Sequence, residues 1–173
     1  RGTGNVLTAA YSENNTNTET SLLKVYPLGA LEFKYPFFRG RNNKSEVLIP
    51  VAQVVYSTDT SSLKRSSDED SSTTEFDSTT LFKLRKIPGI DRQENGLRLN
   101  AGLQYFYEYK NNYKYNINLG QIYRNKNSED FLPSSGLNGY ESDILLSGNL
   151  SFRKNLELAS KQVYSKNFTL KRS

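Results

Sequence analysis

Hydrophobic and polar residues alternate most regularly between positions 97 and 109. Every odd position there is apolar or aromatic, whereas the even positions are mainly polar residues and glycine. The alternation resumes at Tyr113 and continues through Tyr115, Ile117 and Leu119. A period of two over such lengths predicts two long β-strands that meet at a short turn, residues 110–112.

Weaker alternation predicts further strands on both sides of this hairpin, and residues 46–56, which are apolar on both faces, predict a strand whose second face is also covered. They cover residues 5–11, 22–38, 46–56, 140–152 and 156–168. Pro27 and Pro36 lack the amide hydrogen that a sheet ladder needs, so they predict a bend or an irregular end in the second of these strands. No closing strand is expected after residue 168.

The predicted connections alternate in length along the chain. Long connections (12–21, 57–94, 124–139) alternate with short ones (39–45, 110–112, 153–155). A meander with short turns at one rim and long loops at the other is typical of outer-membrane β-barrels, whose short turns face the periplasm. A strand of about thirteen residues, at about 3.3 Å each and tilted by about 45°, spans roughly 30 Å, enough to cross such a membrane.

Aromatic residues gather at one of the short turns. Tyr105, Tyr107, Tyr109, Tyr113 and Tyr115 lie close to residues 110–112, where a barrel would carry an aromatic girdle at the membrane interface. Cross-strand aromatic pairs on a soluble sheet would give the same pattern.

These patterns predict an all-β fold. We expect an antiparallel up-and-down meander of about seven long strands, part of a large outer-membrane β-barrel. Residues 1–173 would form one partial β-barrel domain with long loops at 57–94 and 124–139. The polar positions of the central hairpin are candidates for facing the lumen: Arg98, Asn100, Gln104, Asn116 and Asn118.

The composition excludes several classes of function. Only 35% of residues are hydrophobic although the chain has 12 Tyr and 9 Phe, which suits a sheet with one polar face better than a globular core. Without Cys or His the chain lacks thiolate ligands and the usual general base, so we expect neither an enzyme nor a cofactor. The net charge of +5 is dispersed, so no nucleic-acid partner is expected.

The connection 57–94 carries both acidic residues and hydrophobic anchors. The acidic residues could offer oxygen ligands to Ca²⁺ or Mg²⁺, but without the glycine and spacing of a known loop a solvated loop is favoured; they are Asp68, Glu69, Asp70, Glu75 and Asp77. The anchors Phe76, Leu81, Phe82 and Ile90 predict that residues 69–92 form an ordered extracellular loop that folds back over the mouth of the barrel. Asp91 and Arg92, after the Pro88-Gly89 turn, would fix its return towards Leu97.

Several short segments are similar in order and spacing to one family. From about Leu22 onwards the chain resembles the C-terminal barrel region of the LptD family, the lipopolysaccharide-assembly outer-membrane proteins also called organic solvent tolerance proteins. The segments are Pro50-Val51-Ala52-Gln53, Asp68-Glu69-Asp70-Ser71, Glu75-Phe76-Asp77 with Leu81-Phe82, Gly89-Ile90-Asp91-Arg92, Glu94-Asn95-Gly96-Leu97-Arg98, Gly120-Gln121-Ile122-Tyr123 and Ser135-Gly136-Leu137.

The resemblance implies a role in assembling the outer membrane of Gram-negative bacteria. It implies a barrel translocon that passes lipopolysaccharide from a periplasmic protein bridge into the outer leaflet, with an LptE-like lipoprotein as a plug. The family's periplasmic jelly-roll domain and terminal cysteines are not in this sequence, so the chain is interpreted as a fragment of the barrel wall. Two alternatives remain open at this point: the wall of another outer-membrane barrel, such as a porin or a receptor, and a soluble β-rich binding module.

Overall fold

A computed structural model describes residues 3–15, 22–58, 75–86, 94–110, 112–128, 131, 133–153, 156–165 and 170–172. Its strands are β1 (Thr3–Asn15), β2 (Leu22–Lys34), β3 (Phe37–Arg41), β4 (Lys44–Ser57), β5 (Gly96–Tyr109), β6 (Tyr113–Ser128), β7 (Gly139–Glu141), β8 (Ile144–Phe152), β9 (Leu156–Tyr164) and β10 (Leu170–Arg172). A one-turn α-helix, α1 (Ser78–Leu81), lies between β4 and β5, and a 3-10 helix (Pro133–Ser135) lies between β6 and β7.

All the strands belong to one antiparallel sheet in which chain neighbours are also neighbours in space. The order along the sheet is β1-β2-β4-β5-β6-β8-β9-β10, with β3 alongside β4 and β7 alongside β6. The pairs β2/β3 and β7/β8 are therefore single long strands, each interrupted once. The predicted all-β, antiparallel, up-and-down meander is confirmed, and within the described residues the sheet is not closed into a barrel.

The two interruptions have different causes. β2 and β3 are separated by Tyr35 and Pro36, as expected at a proline that has no amide hydrogen to donate. β7 and β8 are separated by Ser142 and Asp143, where the Ser142 side chain accepts a hydrogen bond from the Ile122 amide at 2.9 Å and takes the place of a ladder partner.

Several predicted boundaries were wrong because polar residues continue the strands. The connection placed at 124–139 begins later, since β6 runs to Ser128 and pairs with β7. Likewise β1 runs to Asn15, whereas β9 ends at Tyr164 and is followed by the unexpected strand β10. In β1 and β6, backbone pairing continues beyond the last residue of the hydrophobic alternation from which the strand's end was predicted.

The turn between β3 and β4 is also shorter than the predicted 39–45. Asn42 and Asn43 alone form it, with φ angles of 48° and 65°, the left-handed pair that a two-residue hairpin turn requires and that Asn tolerates. The short turns are linked to one another: the Lys110 amide donates to the Asn43 carbonyl at 3.0 Å, and the Arg153 amide to the Asn112 carbonyl at 2.6 Å. We call this rim of the sheet the short-turn end.

Among the described residues, the buried core lies on one face of the sheet. Residues 75–86, which we call the strap, lie on this covered face, and Phe76 and Leu81 join a cluster with Ile122, Leu145 and Val163. On the same face, towards β2 and β4, Leu28, Ala30 and Val55 form a second cluster against Leu84 of the strap. No helix in the described part of the chain is long and apolar enough to span a membrane.

Candidate functional site

The face opposite the strap, which we call the open face, is hydrophobic and exposed. Leu99 is 38% exposed and Leu103 37% exposed on β5, and Ile117 and Leu119 on β6 are 42% exposed. Leu103 is paired with Leu119 across the two strands. Exposed apolar side chains in such a continuous field mark a surface that normally meets something other than water.

Tyrosine rings border this field at the short-turn end. Tyr107 stacks on Tyr115 with 4.7 Å between ring centroids, and Tyr113 lies edge-on to Phe152, also at 4.7 Å. The ammonium groups of Lys44 and Lys110 lie 5.7 Å and 5.2 Å from the centre of the Tyr109 ring. An apolar band that ends in tyrosines and cations is the arrangement found where a barrel wall meets the headgroup region.

The strap begins with a capped helical turn. Asp77 is the N-cap of α1, and its carboxylate accepts hydrogen bonds from the amides of Thr79 and Thr80 at 2.8 Å and 2.7 Å. The Thr80 hydroxyl accepts in return from the Asp77 amide at 2.9 Å, which completes a capping box. Burial alone raises the pKa of Asp77, but the hydrogen bonds from Thr79 and Thr80 lower it more, so the carboxyl ionises below its usual range.

A network of polar side chains connects the end of α1 to three strands. The Asn100 amide donates to Gln53 Oε1 at 2.6 Å, and the Gln53 amide donates to the Phe82 carbonyl at 3.1 Å and to Glu32 at 3.2 Å. Lys34 pairs with Glu32 at 3.0 Å. The carbonyl groups at the C-terminal end of a helix need hydrogen-bond donors when they are buried, and the Gln53 amide donates to one of them, the Phe82 carbonyl.

A buried charge cluster holds the second half of the strap. Arg98 on β5 donates to the carbonyls of Lys83 and Leu84 and binds the Glu94 carboxylate, while Arg124 on β6 binds the other oxygen of Glu94 at 2.8 Å. Lys86 Nζ donates to the carbonyls of Leu81 and Lys83 at 2.9 Å and 3.0 Å.

The pKa values of the loop residues in this cluster follow from burial and charge. Burial, reinforced by the positive charge of Arg98, holds the pKa of Lys86 well below its usual range. Burial raises the pKa of Glu94, but the guanidinium groups of Arg98 and Arg124 outweigh burial and keep that carboxyl ionised. One carboxylate therefore bridges two arginines, a strongly directional arrangement.

The structure places part of the predicted loop motif on the covered face. Phe76 and Leu81 are buried, Phe82 packs beside them, and Glu75 pairs with Lys161 of β9 at 2.8 Å. The remaining members lie outside the described residues: Asp68, Glu69, Asp70, Gly89, Asp91 and Arg92. No cluster of His, Cys, Asp or Glu that could hold a metal ion occurs in the part of the chain that the structure describes.

The five lumen-facing candidates all lie on the covered face, but only two of them lie beneath the strap. Arg98 and Asn100 are buried beneath the strap. Gln104, Asn116 and Asn118 lie beyond it towards the short-turn end and are half-buried. A groove on this part of the face is lined by Val47, Phe106, Glu108, Lys114, Asn116, Asn149 and neighbouring residues.

Sequence reasoning missed three members of the charge cluster, Lys86, Glu94 and Arg124. The register of the predicted hairpin contained a signal for Arg124 and for a carboxylate beside it. A turn at 110–112 pairs Tyr109 with Tyr113 and therefore Arg98 with Arg124, and two arginines facing each other on a buried face need a carboxylate between them.

A long-stranded antiparallel sheet with an exposed apolar face, and with a loop packed over the mixed polar and apolar residues of its other face, fits part of an outer-membrane β-barrel. The model of the family described as LptD, LPS transport system D, matches residues 5–173. The chain belongs to this family, and it is therefore a component of lipopolysaccharide transport and outer-membrane assembly. No curated protein matches the chain.

Proposed function

We propose that this chain forms part of the wall of the barrel translocon that delivers lipopolysaccharide into the outer leaflet. The open face contacts outer-membrane lipid, and the covered face lines the lumen. The short-turn end faces the periplasm, towards the periplasmic bridge proteins, and an LptE-like lipoprotein plugs the completed barrel.

One observation carries this proposal: alternating residues of β5 and β6 build two faces of opposite chemistry. Leu103 and Leu119 are paired and exposed on the open face, whereas the adjacent pair Gln104 and Asn118 lies on the covered face. A soluble sheet would bury its apolar face and expose its polar one, whereas a wall between lipid and a watery lumen needs the reverse. Beyond the strap, the groove leaves the polar face accessible.

Site-specific photocross-linking tests the proposal. A photoreactive amino acid is placed at Gln104 or Asn118, and at the matched open-face positions Leu103 or Leu119, in the intact protein in living cells. We expect lipopolysaccharide adducts from positions 104 and 118 that disappear when transport through the periplasmic bridge is blocked. Positions 103 and 119 should give adducts that persist after the block, because those side chains contact bulk membrane lipid.

The absence of these adducts would contradict the proposal. If assembled protein gives no transport-dependent lipopolysaccharide adduct from Gln104 or Asn118, the covered face does not line the path of lipopolysaccharide. Adducts that depend on transport only at Leu103 and Leu119 would place the path on the open face.

A further inference from the structure

Two glycines form a notch in the covered face beneath the strap. Gly102 of β5 and Gly120 of β6 are directly paired. A Cβ on Gly102 would lie 2.8 Å from the Phe82 ring and 2.9 Å from the Leu119 carbonyl, and a Cβ on Gly120 would overlap Leu81 Cδ2. The side chains of Leu81 and Phe82 therefore occupy the space that side chains at 102 and 120 would fill.

The strap reaches far to either side of this notch. Towards one side, Glu75 pairs with Lys161 of β9, and Phe76 packs with Leu145 of β8 and Ile122 of β6. Towards the other side, the Phe82 carbonyl accepts from Gln53 of β4, and Leu84 packs on the cluster that β2 and β4 form. The strap thus crosses β9, β8, β6, β5, β4 and β2 in succession.

We propose that the Gly102–Gly120 notch is a docking site shaped for Leu81 and Phe82, and that the docked strap is a brace. The brace joins strands from β2 to β9 transversely, whereas backbone hydrogen bonds join each strand only to its neighbours in the sheet. It thereby fixes the curvature of this part of the wall.

Two substitutions and their combination test whether Leu81 docks against Gly120. Gly120→Ala introduces the overlapping methyl group, Leu81→Ala removes its partner, and the double variant removes the overlap. The readout is trypsin cleavage after Lys86, which is 3% exposed in the docked strap, measured on the intact protein in outer-membrane preparations. Cleavage of a segment that opens and closes rapidly follows the population of the open form.

We expect Gly120→Ala to speed cleavage about tenfold, the scale of an overpacked site. On the Leu81→Ala background the same change should alter cleavage by less than about twofold, because coupling between contacting residues makes their effects non-additive. Gly29→Ala is the matched control, because a Cβ at this strand glycine meets nothing within 4 Å; it should leave cleavage unchanged.

If Gly120→Ala speeds cleavage by the same factor in the parent and on the Leu81→Ala background, the proposal is wrong. The added Cβ would then clash with the Ala101 carbonyl, 3.0 Å away, and not with Leu81. If Gly120→Ala alone prevents assembly, recovery of assembled barrel in the double variant is the readout. Failure to recover it would also overturn the proposal.

The brace itself is tested by a distance across the wall. Spin labels at Val54 on β4 and Leu158 on β9, both exposed on the open face, report the separation of strands that the strap joins from the other side. We expect a narrow distance distribution in the parent and at least a twofold broader one in Gly120→Ala. Faster cleavage with an unchanged distribution would show that the strap fills space but does not brace the sheet.

Discussion

Arg98 of β5 and Arg124 of β6 occupy directly paired positions, and both guanidinium groups bind the carboxylate of Glu94. Two like charges facing each other on a covered face would otherwise repel. Glu94 lies just before β5 and resolves this repulsion, while Arg98 also binds two strap carbonyls. The end of the long connection, the hairpin and the strap therefore form one electrostatic unit.

Glu94→Gln should destabilise the assembled protein strongly. The substitution leaves two buried guanidinium groups without a counter-charge, which typically costs about 3 to 5 kcal/mol. Urea unfolding in detergent micelles, followed by the loss of the folded form on gels, measures this. The control is Glu108→Gln, because Glu108 pairs with Lys114 at 3.1 Å in a more exposed position and should cost under about 1 kcal/mol. Equal, small effects would mean that Glu94 is not essential to the cluster.

Strap docking should strengthen as pH rises above neutrality. The folded pKa of Lys86 is lowered from 10.5, so between the folded value and 10.5 the undocked strap binds more protons than the docked one, and stability increases with pH. Lys86→Met should abolish this dependence. Chymotrypsin cleavage after Phe82, compared at pH 7 and pH 9 with an exposed peptide standard, measures docking. A parent without pH dependence, or a Lys86→Met variant that retains it, would contradict the assignment.

The cap of α1 should matter through its acceptor and not through its charge. Asp77→Ala removes the oxygen that holds Thr79 and Thr80 and should loosen the strap by about 1 kcal/mol, whereas Asp77→Asn keeps a good N-cap acceptor. The same cleavage assay distinguishes the variants; equal loosening by Ala and Asn would point to charge instead.

Adjacent positions on β5 should respond oppositely to the same substitution. Leu103→Arg places a charge on the open face and should cost about 2 to 4 kcal/mol if this site lies near the bilayer midplane. Gln104→Arg should be tolerated, because Gln104 is a half-buried position on the covered face beyond the strap. The fraction of folded barrel recovered in membranes measures both, and equal tolerance would contradict the assignment of faces.

The sequence was sufficient to predict the long strands of the sheet and to single out Phe76, Leu81 and Phe82 as anchors, but not to predict where those anchors dock. Alternation from Leu97 to Tyr109 reports directly which side chains share a face, because backbone geometry imposes the period. The position of Leu81 depends on two glycines far along the chain, and a helix of one turn is too short to show a period of its own. Glu94 could be assigned to the arginines only after the register of the hairpin was known.

Cysteine scanning along β5 tests the central claim, that this sheet separates lipid from a watery lumen. Single cysteines at positions 99, 100, 101, 103, 104, 105 and 106 of the intact protein, in outer membranes, are exposed to a lipid-soluble or a water-soluble thiol reagent. We expect two opposite alternations: lipid-phase labelling at Leu99, Ala101, Leu103 and Tyr105, and aqueous labelling at Gln104 and Phe106, with Asn100 protected by the strap. Labelling of both faces by the same reagent, or lipid-phase labelling at Gln104, would contradict it.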